Sequence, residues 1–133
     1  MSEDPAVLFS NDAFYTVFLT RDYDAMDGLW SKRPTVTCIH PGWPPLSGRE
    51  EVMRSWHGIL TGPNAPEITC HHAQAHICGD VAYVICHEKL DTEFLVATNV
   101  FVHEDGIWKL VHHQAGAAPP PSLEDDEKPE PMQ

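Results

Sequence analysis

CIHPGWPPLSGREEVMRSWHGIL, residues 38–60, holds the change of direction on which the fold turns. Cys38 and Ile39 end a short apolar strand, and His40 sits where that strand gives out. Pro41, Gly42, Pro44 and Pro45 then exclude both a helix and a strand ladder. Ser47 and Glu50 have the S-x-x-E spacing of a capping box, which predicts a helix beginning at Ser47. Val52, Trp56, Ile59 and Leu60 recur at helical spacing and give that helix one apolar face. A stiff turn thus presents His40 and Trp43 beside a helix that contributes Trp56, which is one way to build the wall of a small-molecule pocket.

On the N-terminal side, Asp4 before Pro5 reads as a helix cap followed by proline at the first helical position. Val7, Ser10, Phe14, Val17 and Phe18 fall on one face, so the helix extends to about Leu19. Asp22 caps a second helix with Tyr23, Met26, Leu29 and Trp30 on one side. Thr35 to Ile39 is a β-branched strand. On the C-terminal side the pattern is all strand: Glu67–Cys78, Val81–Leu90, Leu95–His103 and Ile107–Ala115. Gly79-Asp80, Asp91 to Glu93 and the hairpin signal Asp105-Gly106 separate them. Helix, helix, strand, helix and a four-stranded meander make an α+β fold.

Length and charge set limits on function. The 133 residues, 42% of them apolar, predict one domain with a core of its own and no run long enough to span a bilayer. A formal charge of −12 argues against nucleic acid and anionic membrane as partners. The start MSEDPAVLF lacks a basic region followed by an apolar stretch, so no secretory signal is expected. Cys38, Cys70, Cys78 and Cys86 form no C-x-x-C and read as four reduced, mostly buried thiols, which fits a cytoplasmic protein. From Ala117 to Gln133 prolines and acids leave almost nothing to bury, so residues 1–116 are expected to be the domain and 117–133 a disordered acidic tail.

Hairpin arithmetic says which side chains meet. A two-residue Asp105-Gly106 turn sets Asn99 opposite His112, Phe101 opposite Leu110 and His103 opposite Trp108, all on one face. An even-length turn around Thr92-Glu93 adds Cys86 opposite Asn99 and brings Glu88 to the same face. Around Gly79-Asp80, Cys86 falls opposite Ala73 and out of disulfide reach of Cys78. The face with Val84, Cys86, Glu88, Leu95, Ala97, Asn99, Phe101, Trp108, Leu110 and His112 is assigned to the helices. The other carries Val96, Thr98, Val100, Val102, Val111, His87 and His113. It is apolar enough to predict contact with a second copy, a homodimer whose histidines make it sensitive to pH.

The order of elements resembles the nuclear-transport-factor-2-like cone, also seen in SnoaL-like polyketide cyclases and ketosteroid isomerase. Three stretches are similar to a SnoaL-like domain of the uncharacterised bacterial type. They are Asp24-Ala25-Met26-Asp27-Gly28-Leu29-Trp30; His40-Pro41-Gly42 with Leu46-Ser47-Gly48-Arg49-Glu50 and Trp56; and Thr98-Asn99-Val100-Phe101 with Trp108-Lys109-Leu110-Val111-His112-His113. The resemblance covers about residues 5 to 116. It implies a strongly bent, mostly antiparallel sheet with three helices on its concave face. This fold hosts isomerases, dehydratases, cyclases and association domains, so it does not name a reaction. Ketosteroid isomerase uses an aspartate base with a tyrosine and an acid as oxyanion donors. After the first strand this chain has His40 where an acid would be needed.

The candidate catalytic residues are His40, Glu88, Asn99 and His112. The expectation is that Asn99 fixes the tautomer of His112, His40 enters from the turn, and a ligand carbonyl or hydroxyl sits between the imidazoles. Glu88, the only acid on the inner face, is expected to have a raised pKa and to relay a proton. Tyr15, Trp43, Trp56, Cys86 and Phe101 are the candidate lining for a small, flat, mostly apolar molecule. No cofactor is called for: the chain has no Gly-rich phosphate loop and no H-E-x-x-H. Although Cys70-His71-His72, His76, Cys86-His87 and His112-His113 are suggestive in number, adjacent strand residues point to opposite faces and cannot share an ion. The two readings are a cofactor-free acid–base enzyme of the isomerase, dehydratase or cyclase type, and a ligand-binding or association domain without chemistry.

Overall fold

A computed structural model of the chain describes residues 4–121. Helix α1 runs Asp4–Thr20, α2 Tyr23–Leu29 and α3 Arg49–Thr61. The strands are β1 Thr37–Ile39, β2 Leu46–Ser47, β3 Ile68–Cys78, β4 Val81–Leu90, β5 Glu93–Glu104 and β6 Ile107–Ala118. One six-stranded sheet has the order β2-β1-β6-β5-β4-β3. It is antiparallel except where β1 lies parallel to β6. The expected α+β fold, a bent mixed sheet with three helices packed against it, is present.

The local signals explain most boundaries. Asp22 caps α2 by accepting from the Ala25 backbone N–H at 3.1 Å. Ser47 does not cap α3. It pairs with Thr37 in the short β2 ladder, and Gly48, at φ +95°, takes the cap position. The acid that reaches back to the Ser47 N–H is Glu51, at 2.9 Å, not Glu50. β6 continues to Ala118, which pairs with Phe94, so Ala117 and Ala118 belong to the sheet. The expected tail from residue 122 onward lies outside the described residues.

Arg49 fastens the start of α3 to the end of α2. Its guanidinium donates to the carbonyls of Asp27, Trp30 and Ser31 and to the Asp27 carboxylate at 2.8 Å. Four bonds from one planar group fix the angle between the two helices. The core behind it joins Phe14, Phe18, Trp30, Val52, Trp56, Phe101 and Leu110, which are all buried.

Two bulges set the register. From the Asp105-Gly106 turn, Phe101 faces Leu110 and His103 faces Trp108 as expected, but the ladder slips by one at Val111. Beyond it Asn99 faces His113, not His112. β3 holds its expected register with β4 from Cys78 to Gln74, then bulges at His72 and Ala73, where Cys86 faces the extra residue. The β4–β5 turn is Asp91-Thr92, which keeps the expected parity but sets Val84, not Cys86, opposite Asn99.

Candidate functional site

The concave side of the sheet buries a polar group inside the apolar core. Asn11 and Tyr15 come from α1, Cys86 and Glu88 from β4, Asn99 from β5 and His113 from β6, each at most 4% exposed. Asn11 and Tyr15 reach it because they share the buried face of α1 with Val7, Phe14 and Phe18. The strand residues reach it because they alternate inward with Val84, Ala97 and Ala115.

The hydrogen bonds form one chain. Tyr15 Oη donates to Glu88 Oε2 at 2.6 Å. Asn99 Nδ2 donates to Tyr15 Oη at 3.2 Å and to Asn11 Oδ1 at 2.9 Å. His113 Nδ1–H donates to Asn99 Oδ1 at 2.5 Å, so its Nε2 keeps a lone pair and lies 4.0 Å from Glu88 Oε2. Tyr15 Oη also touches Cys86 Sγ at 3.4 Å.

Burial is the first cause of the shifts at Glu88, Tyr15 and His113. Glu88 is pushed up to about 7 by loss of water, against the opposing effect of the Tyr15 hydrogen bond. The Tyr15 phenol is held well above its usual value, first by burial and then by the Glu88 charge. His113 is lowered to about 3 by burial, with smaller contributions from His40 and His112, so it is a neutral imidazole at neutral pH. Glu88 is therefore the group that exchanges a proton near neutrality.

His40 stands beside this chain. Its Nε2–H donates to Ser55 Oγ at 2.9 Å, and Ser55 in turn donates to the Val52 carbonyl at 2.7 Å. Burial lowers His40 to about 4. Its ring meets Trp43 and Trp56 edge-on, with centroids 4.8 Å away in both cases, and lies 6.4 Å from the His113 ring. Phe14 and Trp56 close around His113 at 5.0 and 5.9 Å.

The interior is packed shut. A side chain lining a water-sized opening would keep accessible surface, and these keep almost none. Three grooves among the described residues are open and superficial. One of about 460 Å³ lies at the start of α3 between Pro34, Gly48 and Arg54. Two more border Tyr23 and Met53, and Leu19 and Lys89; these three are not lined by the buried polar chain. No group of three or more His, Cys, Asp or Glu among the described residues is placed to hold a metal ion.

Comparison with known proteins fits this architecture. A family model described as a SnoaL-like domain matches residues 7–119. The chain belongs to the SnoaL-like domain family. Its fold is that of the NTF2-like superfamily. It is similar to a candidate dehydratase of the NTF2-like family from Streptomyces avermitilis, with 31% identity, a TM-score of 0.80, and coverage of 89% of this chain and 97% of that one. It is also similar to a candidate calcium/calmodulin-dependent protein kinase type II association domain from Thiobacillus denitrificans. There the identity is 29%, the TM-score 0.75 and the coverage 83% and 93%. Among curated proteins it is 32% identical over 113 residues to the F-box protein SKIP8 of Arabidopsis thaliana, covering 83% of this chain. The chain spans about half, 48%, of that relative's length.

Within this SnoaL-like domain, the structure brings Glu88, Asn99, Tyr15 and Cys86 together, with His40 nearby. His112 does not join them. The Val111 bulge turns it outward, where its Nδ1 hydrogen-bonds Thr37 Oγ1 at 2.7 Å, and His113 takes the inner place. Trp56 is fully buried, with its indole N–H unpaired. Trp43 is 44% exposed and covers His40 from outside, so it is a lid over the histidine more than a wall. Phe101 is buried in the core below. Asn11, which sequence reasoning missed, sits one turn before Tyr15 on the buried face of α1. A polar residue at that position was the available signal.

Proposed function

We propose that this domain binds a small, mostly apolar molecule carrying a carbonyl or hydroxyl on the concave side of its sheet, and performs acid–base chemistry on it. The observation that carries this reading is the buried chain Tyr15–Glu88–Asn99–His113. Its only group that titrates near neutrality is an acid sealed among aromatic rings. Core packing gives no reason to bury a carboxyl, and such groups concentrate where protons are moved. In ketosteroid isomerase a tyrosine and a neutral acid together hold an oxyanion; Tyr15 and Glu88 have the same chemistry. His40, fixed as its Nε2–H tautomer by Ser55, supplies a second base through Nδ1. A relative named as a candidate dehydratase agrees with chemistry of this type. A ligand enters by displacing the Trp43 turn, in which Gly42 has φ +80°, the Trp43 ring meets His40 edge-on and the Trp43 N–H donates to the His40 carbonyl at 2.9 Å.

The test is tryptophan fluorescence of the domain against small aromatic ketones and lactones. Binding is expected at better than about millimolar strength, near −4 kcal/mol, and weakened in Tyr15→Phe. If no compound binds, or if Tyr15→Phe and His40→Ala bind like the parent, the reading fails.

A second reading has its own observation. The outer sheet face exposes Ile85 and Val96, with Tyr83, Val100 and Val111 half-buried beside them. One of the similar structures is named as an association domain. Contact between two copies through this face is the corresponding proposal, tested by sedimentation at micromolar concentration. His113 takes no part in that contact, because the bulge buries it, and Val102 is buried as well. The histidines near the face are His87 and His112.

A further inference from the structure

The proposed chemistry uses neither the acidic run after the last strand nor the histidines on the outer side of the sheet. His71 pairs with His87 across β3 and β4. The bulge that follows, with His72 at φ +57°, turns His72 to solvent beside them, because successive side chains can share a face at a bulge. The ring centroids of His71 and His72 lie 6.5 Å apart, and those of His72 and His87 6.0 Å apart. The three are not placed to hold a metal ion. What such a cluster gains as pH falls below neutrality is positive charge.

Two rows of paired residues run from this cluster to the end of β6. His71 faces His87, His87 faces Val96, and Val96 faces Gly116. Two residues along, Thr69 faces Lys89, Lys89 faces Phe94, and Phe94 faces Ala118. The chain therefore leaves β6 three strands from the cluster, roughly 14 Å away. Glu124-Asp125-Asp126-Glu127 begins six residues after Ala118. Six residues extend up to roughly 20 Å, enough to cross the sheet.

Charge singles out the same place. In a chain of formal charge −12, Lys32, Arg33, Arg49 and Arg54 pair with carboxylates, and Arg21 and Lys109 donate to main-chain carbonyls. Lys89 instead lies over the Phe94 ring, 5.9 Å from its centroid, in the row beside the histidines. The carboxylates at this end of the sheet are Glu67, Asp91 and Glu93. Val96, Thr98, Gln114 and Gly116, on the two strands toward β6, carry no charge.

We propose that the acidic run 124–127 docks on His71, His72, His87 and Lys89 of its own chain, in a contact that tightens as pH falls below neutrality. The outer end of β3 and β4 is thus a binding surface for an acidic peptide, and the chain carries that peptide itself. Val96 lies between the cluster and β6, so the docked run covers part of the face proposed above for a second copy. The docking does not rest on that reading, and sedimentation tests the contact between copies separately.

The experiment treats the full chain with a water-soluble carbodiimide, which joins a lysine amine to a carboxylate in contact with it, and maps linked peptides by mass. At pH 6 Lys89 should be linked to residues 124–127. The yield should fall roughly five-fold in His71→Gln/His72→Gln/His87→Gln at the same pH, and likewise in the parent at high salt. Chains of natural and nitrogen-15 content are mixed beforehand, so that peptides of mixed isotope mark links between copies. A second measurement needs no reagent. Nitrogen-15 relaxation of the amides of residues 124–127 should approach that of the sheet at pH 6 and depart from it at pH 8, and this change should be lost in the histidine variant. The proposal is overturned if Lys89 is linked only to Glu67, Asp91 or Glu93, or if its links to residues 124–127 are of mixed isotope. It is equally overturned if parent and variant relax alike at both pH values.

Discussion

Replacing Glu88 by glutamine should stabilise the protein, and only in one pH range. Glu88 holds its proton to about 7 in the folded chain, against 4.5 for the ordinary carboxyl. Between those values the unfolded chain has released the proton and the folded chain has not. Rising pH therefore favours unfolding, and the stability present below 4.5 is lost as pH climbs through 7. A gap of about two and a half pH units at ~1.4 kcal/mol each amounts to about 3 kcal/mol above pH 7.5, and about 2 at pH 6. Glutamine keeps an oxygen to accept from Tyr15 and has no proton to lose. Urea unfolding of parent and Glu88→Gln from pH 5 to 8.5 should give two curves that diverge, with the variant ahead by roughly 3 kcal/mol at the alkaline end. Any constant packing difference cancels, because the slope carries the information. Parallel curves would refute the reasoning, since they would mean that Glu88 ionises in the folded chain as an exposed carboxylate does.

On the acid side the sign reverses: His40 and His113, lowered to about 4 and about 3, contribute stability that is present above 6.5 and lost as pH falls through those values. His40→Gln should flatten that loss between pH 6.5 and 4 by about 3 kcal/mol, measured by denaturant titration. Asn99→Ala strips partners from Asn11, Tyr15 and His113 at once and should cost about 3 kcal/mol in the same assay; a loss under about 1 would mean water replaces the amide. Tyr15→Phe removes the one bond that holds the Glu88 pKa down, so the Glu88 carboxyl resonance in a carbon-13 titration should move to higher pH. Val96→Lys should leave unfolding nearly unchanged and convert any dimer to monomer by sedimentation.

How much of this the sequence revealed depends on the length of chain over which a pattern could be counted. The parity of Cys86, Glu88 and Asn99 was legible because β4 and β5 run without a break and the turn between them has an even number of residues. The His113 assignment was lost at one residue, since a bulge at Val111 involves no glycine and no proline. A trace was nevertheless present. Trp108 and Leu110 are inward, and strict alternation from them would put Gln114 inside and Ala115 outside. Reading back from Ala115 as a buried residue places His113 inward. β3 carries the same trace: Ile77, Ala75 and Ala73 alternate inward on odd positions, Cys70 and Ile68 on even ones, so one residue must be extra between them. The capping box failed for a different reason. Ser47 had two uses open to it, and pairing with Thr37 in β2 is a contact that local spacing cannot foresee. Both bulges then do the same physical work: they bend the sheet toward the helices and rotate a side chain inward. One rotation brings His113 onto Asn99, and the other returns Cys70 to the inner side of the sheet, opposite Glu88. The place of His113 in the buried polar chain therefore depends on one irregularity in an otherwise regular meander, and a ladder without it would set His112 opposite Asn99 instead.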